Sequence, residues 1–322
     1  SPQGVCIAFD TKEITFRQEL DPSYKANRGA PPSIFLEDIK RLENILKSQL
    51  NLPIFKLPGF EADDILGTIS QKASKDNWYI KILSGDKDLF QLVDSKKDIY
   101  VLYMGSGGPF AKSSEPILIN EEGVEDKLGV APEKVVDLKA LMGDSSDNIP
   151  GVKGIGPKTA INLLSENKDL ESIFTTLDEI NSGVKTNYNG FIKGSVLKKL
   201  ENGRDFAYKS QLLATIKTNL LIDNDNYSLS EVDSENLSAK LKELELNSLV
   251  RQIDIFNTTF SKGGFNKNNQ NKVEDKVPKL SNKIELENNE NKIPKIKVIV
   301  VNDFELLDKL IQRLDKTNEI VS

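Results

Sequence analysis

The sequence predicts an α/β fold with a mostly parallel sheet, followed by a mainly helical subdomain with a glycine hairpin, a linker and the start of a second α/β unit. Three observations carry this. In the first 120 residues, short apolar runs alternate with segments of helical spacing, as in βα units whose strands are buried on both faces. Beyond about residue 120 the pattern becomes a succession of short helices. Near residue 262 the composition breaks sharply toward Asn, Lys and Glu.

Residues 4–9, Gly-Val-Cys-Ile-Ala-Phe, form a continuous apolar run closed by Asp10, as expected of an interior parallel strand. After a polar stretch with Tyr24, Lys25 and Arg28 and the pair Pro31-Pro32, residues 33–50 place Ile34, Ile39, Leu42, Ile45, Leu46 and Leu50 near helical spacing. A strand at 53–57, a helix at 61–75, a strand at 78–83 and another at 98–103 follow. Helices are then expected at 121–128, 132–142, 157–166, 169–176, 195–202 and 205–212. Residues 262–295 read as a disordered linker. Residues 296–301 read as a strand, 303–315 as an amphipathic helix and 319–322 as the start of another strand. The predicted division is an α/β core at 1–120, a helical subdomain at 121–260 with a hairpin at 143–166, a linker at 261–295, and the start of a further domain at 296–322. No internal repeat is visible.

Composition removes several chemistries. Histidine is absent from all 322 positions, which excludes Ser-His-Asp and Cys-His nucleophiles, imidazole bases and His-ligated metals. The single cysteine, Cys6, excludes an intramolecular disulfide framework and a Cys-rich zinc site, and suits a reducing cytoplasm. No apolar run approaches the roughly 20 residues of a membrane span, and the opening SPQGVCIAFD suggests no secretory leader. Catalysis would have to rest on carboxylates, Lys, Tyr or a bound cation. A net charge of −6 argues mildly against a nucleic-acid partner.

Open α/β sheets bind ligands beyond the carboxyl ends of their strands, so acids placed there are the ones to weigh. Asp10 follows the first strand; Glu61, Asp63 and Asp64 open the helix after the second; Asp86 and Asp88 follow the third; Asp144 and Asp147 lie in Gly-Asp-Ser-Ser-Asp-Asn. Each alone has an ordinary explanation: Glu61 to Asp64 complement a helix dipole, Asp88 is an N-cap, and Asp144 and Asp147 make Asx turns before Pro150. Together they form eight oxygen donors on one rim. With no His or Cys, such a set selects Mg²⁺ or Mn²⁺, expected as two ions about 4 Å apart. Setting these eight aside turns the net charge from −6 to +2, so the remainder is not hostile to phosphate.

Residues 151–160, Gly-Val-Lys-Gly-Ile-Gly-Pro-Lys-Thr-Ala, do not make a nucleotide-binding Walker loop, because Pro157 stands where its lysine belongs and no strand precedes them. Gly151, Gly154 and Gly156 permit a tight hairpin whose amides approach a backbone phosphate, Pro157 suits the next helix's first turn, and Lys153 and Lys158 add charge. This is a helix-hairpin-helix (H3TH) pattern, which grips DNA without reading its sequence. A plain glycine-rich helix-helix turn is the alternative.

The series Ala-Phe-Asp10, Tyr24-Lys25-Ala-Asn-Arg28, Pro58-Gly-Phe-Glu61-Ala-Asp63-Asp64, Ser84-Gly-Asp86-Lys-Asp88 and Gly143-Asp144-Ser-Ser-Asp147-Asn-Ile-Pro-Gly-Val-Lys-Gly-Ile-Gly156 closely resembles the 5′ nuclease (5′-to-3′ exonuclease) domains of bacterial DNA polymerase I, within the flap endonuclease superfamily. The resemblance covers about residues 1–260. It implies a PIN-like sheet and cleavage of phosphodiesters at 5′ flaps, nicks and RNA-primed DNA by two Mg²⁺ ions held on the eight acids. It also implies Lys25 and Arg28 at the scissile phosphate, a hairpin that binds duplex with K⁺ on its carbonyls, and a monomer in the bacterial cytoplasm near the nucleoid. From 296 onward the resemblance implies a 3′-to-5′ exonuclease-like domain. It further implies an earlier strand, ahead of Ser1, carrying another metal-binding Asp. Without that strand the sheet is expected to expose an unpaired edge and residues 1–322 to show little nuclease activity. Two readings stand beside this one: a non-catalytic DNA-binding fragment and a PIN-like ribonuclease, the latter opposed by the hairpin.

Overall fold

The computed structural model describes residues 2–105, 116–222, 227–261 and the strand Lys297–Ile299. In chain order the elements are β1 (Ile7–Ala8), α1 (Phe16–Leu20), α2 (Ser33–Ser48), β2 (Ile54–Phe55), α3 (Ala62–Lys75), β3 (Ile80–Ser84), β4 (Ile99–Tyr103) and β5 (Ile117–Ile119). Helices α4 (Glu121–Leu128), α5 (Val135–Met142), α6 (Pro157–Glu166), α7 (Leu170–Asn181) and α8 (Gly194–Ala214) follow. Then come α9 (Ser234–Glu243), α10 (Asn247–Val250), α11 (Ile253–Phe260) and β6 (Lys297–Ile299). The sheet order is β2-β1-β6-β3-β4-β5, parallel throughout except that β5 runs antiparallel to β4. Among the described residues no helix is long and apolar enough to cross a membrane.

The two-residue period of the strands divides the core between the sheet's two faces. Cys6, Ala8, Ile80, Ile82 and Val101 pack with α3 and the helices α4 to α8 on one side. Val5, Ile7, Phe9, Leu83 and Leu102 pack with α2 and α9 to α11 on the other. Cys6 is a core residue; burial pushes its thiol up to about 12, far from a reactive thiolate.

Three features differ from expectation. Within the helical region 121–260, α4 to α8 pack on one side of the sheet, whereas α9 to α11 join α2 on the other. The helices expected at 195–202 and 205–212 are a single 21-residue helix. Gly203, which looks like a breaker, is where α8 meets the hairpin: a Cβ there would lie 2.6 Å from Val152 Cγ1. Lastly, the strand expected to open a second α/β unit completes this sheet, pairing Ile299 with Ile7 and Lys297, Val298 and Ile299 with Lys81, Ile82 and Leu83. β1 therefore has neighbours on both sides and shows no unpaired edge, because pairing satisfies backbone groups that an open edge would leave bare. The expected linker from 262, and everything expected beyond 299, lie outside the described residues.

Candidate functional site

The carboxyl ends of β1, β2 and β3 deliver the first group of acids. Asp10 leaves β1 and its Oδ1 accepts the Ala62 amide at 2.7 Å, tying the strand end to the start of α3. Glu61 is the N-cap of α3, and Asp63 follows in its first turn. Asp86 caps the short 3₁₀ helix Lys87–Leu92, its Oδ1 accepting the Asp88 amide at 2.8 Å. Asp10, Glu61, Asp63 and Asp86 line one cleft of about 620 Å³ with Lys25 and Arg28, while Phe35, Leu36, Ile39 and Lys40 of α2 form its opposite wall.

Asp63 is crowded by like charge. Burial, with like charge from Asp86, Asp10 and Glu61 against the pull of Lys25, pushes its carboxyl well above the usual carboxylate range. Among the described residues it has no hydrogen-bonding or ion-pair partner. Such crowded hard oxygens with too little positive charge are the donor chemistry that suits Mg²⁺ or Mn²⁺, so the residues present fit a divalent ion. As they stand, no three His, Cys, Asp or Glu side chains among the described residues form a ready-made ion cage.

The remaining acids are held by bases. Tyr24 is buried, and its hydroxyl lies 3.1 Å from Glu61 Oε2 and 3.2 Å from Asp147 Oδ2. Lys25 Nζ pairs with Glu61 Oε1 at 2.8 Å and approaches Asp147 at 3.8 Å, and Arg28 pairs with Asp147. Burial pulls the Lys25 ammonium down, but Glu61 and Asp147 outweigh it and the net shift is upward. Lys25 adopts the left-handed backbone region at φ 55°, a conformation kept by its amide's bond to the Asp147 carbonyl and by Asn27 and Asn148 stitching the loops together.

Asp64 does not line that cleft. It is fully buried; its two oxygens take a bidentate fork from Arg17 at 2.7 and 2.8 Å, and they also accept the Lys217 and Glu61 amides. Three residues from Glu61, it closes a capping box, so the helix-start explanation applies to it. Nor do Asp88 and Asp144 stand free, because Lys139 of α5 contacts both. Neither Arg17 nor Lys139 was expected from the sequence. Lys139 does interrupt the apolar run Val-Val-Asp-Leu-Lys-Ala-Leu-Met five residues before Asp144, a position that a search for bases near the acids would find.

One lysine cannot neutralise two carboxylates equally. Burial, aided by Asp86 and opposed by Lys139, pushes Asp88 up to about 7. Asp144 resists its own burial through Lys139 and Ser146 and falls to about 2. Unfolded Asp titrates near 4, roughly, so between pH 4 and 7 the folded chain keeps an Asp88 proton that the unfolded chain has released. Ion-free protein should therefore lose stability as pH rises through that window. Asp144 contributes the opposite slope, its stabilisation being lost as pH falls from about 4 to about 2. Melting curves in EDTA check this: Asp88→Asn should flatten the loss between pH 4 and 7 and leave the acid limb intact.

The hairpin lies beyond Asp147. Gly151 and Gly154 have φ +60° and +85°, and a Cβ on Gly151 would fall 2.2 Å from the Gly143 amide nitrogen. The Gly151 amide donates to Ser210 Oγ of α8 at 2.9 Å, Val152 and Ile155 are buried, and Lys153 and Lys158 are exposed. The amides of Lys153, Gly154 and Gly156 find no acceptor among the described residues. Gly154's carbonyl accepts Lys199 Nζ at 2.9 Å. The turn is thus an exposed donor surface at the start of α6, whose first helical residue is Pro157.

Residues 1–129 match the family model described as 5′-3′ exonuclease, N-terminal resolvase-like domain, and residues 130–251 match 5′-3′ exonuclease, C-terminal SAM fold. The chain is 42% identical over 262 residues to DNA polymerase I of Synechocystis, covering 81% of this chain and 25% of that protein. It is 36% identical over 258 residues to a thermostable DNA polymerase I of Thermus filiformis, covering 79% and 28%. It spans about a quarter of the length of these curated relatives. Among solved structures, the bacteriophage T5 D15 flap endonuclease with DNA and metal ions shares the fold at TM-score 0.52 and 21% identity, over 78% of this chain and 83% of that one.

Proposed function

The chain belongs to the 5′-3′ exonuclease family, and we propose that it hydrolyses phosphodiesters in DNA with a displaced or nicked 5′ strand, including RNA-primed DNA. The observation that carries this is one cleft in which the crowded acids Asp10, Asp63 and Asp86 share space with Lys25 and Arg28. Asp10, Asp63 and Asp86, with Glu61 beside them, would hold a divalent ion, Mg²⁺ or Mn²⁺. A second would involve Asp88, Asp144 and Asp147. Bound ions supply a nucleophile at neutral pH and offset charge on the reacting phosphate.

The chain's own residues bind and orient. Lys25 and Arg28 are paired to Glu61 and Asp147, and an incoming phosphodiester offers them exchange partners of the same charge. Glu61 and Asp147 are thereby released to face a cation. The hairpin holds the duplex portion through its amides, Lys153 and Lys158. K⁺ on its carbonyls belongs to the same proposal, with Gly154's carbonyl already engaged by Lys199. The protein acts as a monomer in the cytoplasm.

One observation favours a binding-only reading: Lys139 satisfies Asp88 and Asp144, acids that the second ion would need free. Cleavage of a 5′-flap duplex in Mg²⁺, beside duplex binding in Ca²⁺, separates the two. Binding without cleavage at any ion concentration would sink the nuclease reading. The hairpin has its own test. Replacing Lys153 and Lys158 by Ala should weaken duplex binding and lower the log-log salt slope by roughly 1 per lost phosphate contact. An unchanged slope would remove both lysines from the interface.

A further inference from the structure

Lys139 joins two acids that come from separate loops. It lies on α5, with a side chain about one-eighth exposed, and its Nζ contacts Asp88 Oδ1 and lies 2.6 Å from Asp144 Oδ2. Asp88 comes from the loop after β3 and Asp144 from the turn after α5, whose ladder pairs Asp144 with Ile149. Two oxygens that both touch one nitrogen lie within about 6 Å of each other. Without a cation between them these carboxylates would repel across a poorly solvated gap.

We propose that the Lys139 ammonium is a tethered counter-cation that holds Asp88 and Asp144 together in the ion-free protein and competes with a divalent ion for the same oxygens. This rests on the proposed divalent-ion site. The chemistry is a matter of shared donors. An ammonium takes carboxylate oxygens at about 2.8 Å, whereas Mg²⁺ demands them at 2.0–2.1 Å in near-octahedral order, roughly. The oxygens cannot satisfy both geometries at once, and two positive charges in one pocket repel. Lys139 must therefore withdraw, or one carboxylate must turn, before an ion is seated. Lys139 thus exchanges ion affinity for a site that stays assembled without its ion. A neutral side chain of the same length should reverse both effects.

The test uses the whole 322-residue chain, with Lys139→Met to remove the charge, Lys139→Gln as a second neutral variant and Lys139→Arg to retain it. Mn²⁺ binding is measured by calorimetry and melting with and without Mn²⁺. In EDTA the neutral variants should melt below the parent. In saturating Mn²⁺ the deficit should close, and their Mn²⁺ dissociation constant should be about tenfold lower than the parent's. Lys139→Arg should resemble the parent in both. The proposal is overturned if the neutral variants bind Mn²⁺ no more tightly than the parent, or keep the same melting deficit with and without the ion. A parent that binds no Mn²⁺ overturns it as well, and in that case the divalent-ion reading falls first. Parent binding with unchanged variants removes only the role of Lys139.

Discussion

Replacing Asp86 by Ala is expected to lower Mg²⁺-dependent cleavage of a 5′-flap duplex about a thousandfold relative to the parent chain, while duplex binding in Ca²⁺ changes by less than about threefold. The first figure corresponds to about 4 kcal/mol of lost stabilisation of the reacting phosphate, a reasonable share for one ligand of a catalytic ion. Asp86 lines the cleft, and it is the largest source of like charge on Asp63. Removing it relieves that charge and should lower the Asp63 carboxyl somewhat, burial still holding it up, while leaving the ion without a donor. Structure should survive. The cap at Asp88's amide is lost, at a cost of roughly 1 kcal/mol, and the strand and α3 keep their own contacts. Equal loss of cleavage and binding would mean that Asp86 supports the fold or the duplex, and parent-level cleavage would end the ion assignment.

The acids just after apolar runs were legible because a strand end is marked twice, by the apolar run that closes and by the charge that follows. Asp10, Asp63 and Asp86 reach one cleft on that logic. The glycine hairpin was legible for a different reason, since positive φ leaves a compositional trace at Gly151 and Gly154. What spacing could not show is which acid is already spoken for. Glu61, Asp63 and Asp64 are neighbours in sequence, yet one caps, one stands in the cleft and one is sealed against Arg17, because consecutive helical positions point about 100° apart. Asp64's partner is 47 positions away, and the carbonyl that Arg17 also binds is 196 away. Local pattern carries no record of such distances. The gap expected between helices at 195–202 and 205–212 is closed in the structure, where Gly203 seats Val152 against a continuous α8.

Arg17 should therefore be the most costly single side chain to lose. It is 2% exposed, and it makes the fork to Asp64, approaches Glu61 at 3.3 Å, and donates through Nε to the Leu213 carbonyl and through Nη2 to the Thr215 carbonyl, each at 2.8 Å. Those carbonyls lie at the end of α8, the helix whose Ser210 also receives the hairpin's Gly151 amide. One guanidinium thus fastens the start of α3, where Glu61 and Asp63 are mounted, to the helix that supports the hairpin. Arg17→Met is expected to lower unfolding free energy by about 3–5 kcal/mol, since it strands a fully buried carboxylate that keeps only two amide donors. Arg17→Lys should recover little, because an ammonium cannot span both Asp64 oxygens and two carbonyls. Arg17→Met combined with Asp64→Leu should regain much of the loss, as removal of both charges leaves no uncompensated ion at that position. Urea unfolding of the three variants checks this. A cost below about 1 kcal/mol for Arg17→Met, or a double variant as unstable as the single, would show that the fork is not what joins the acid-bearing helix to the hairpin's support.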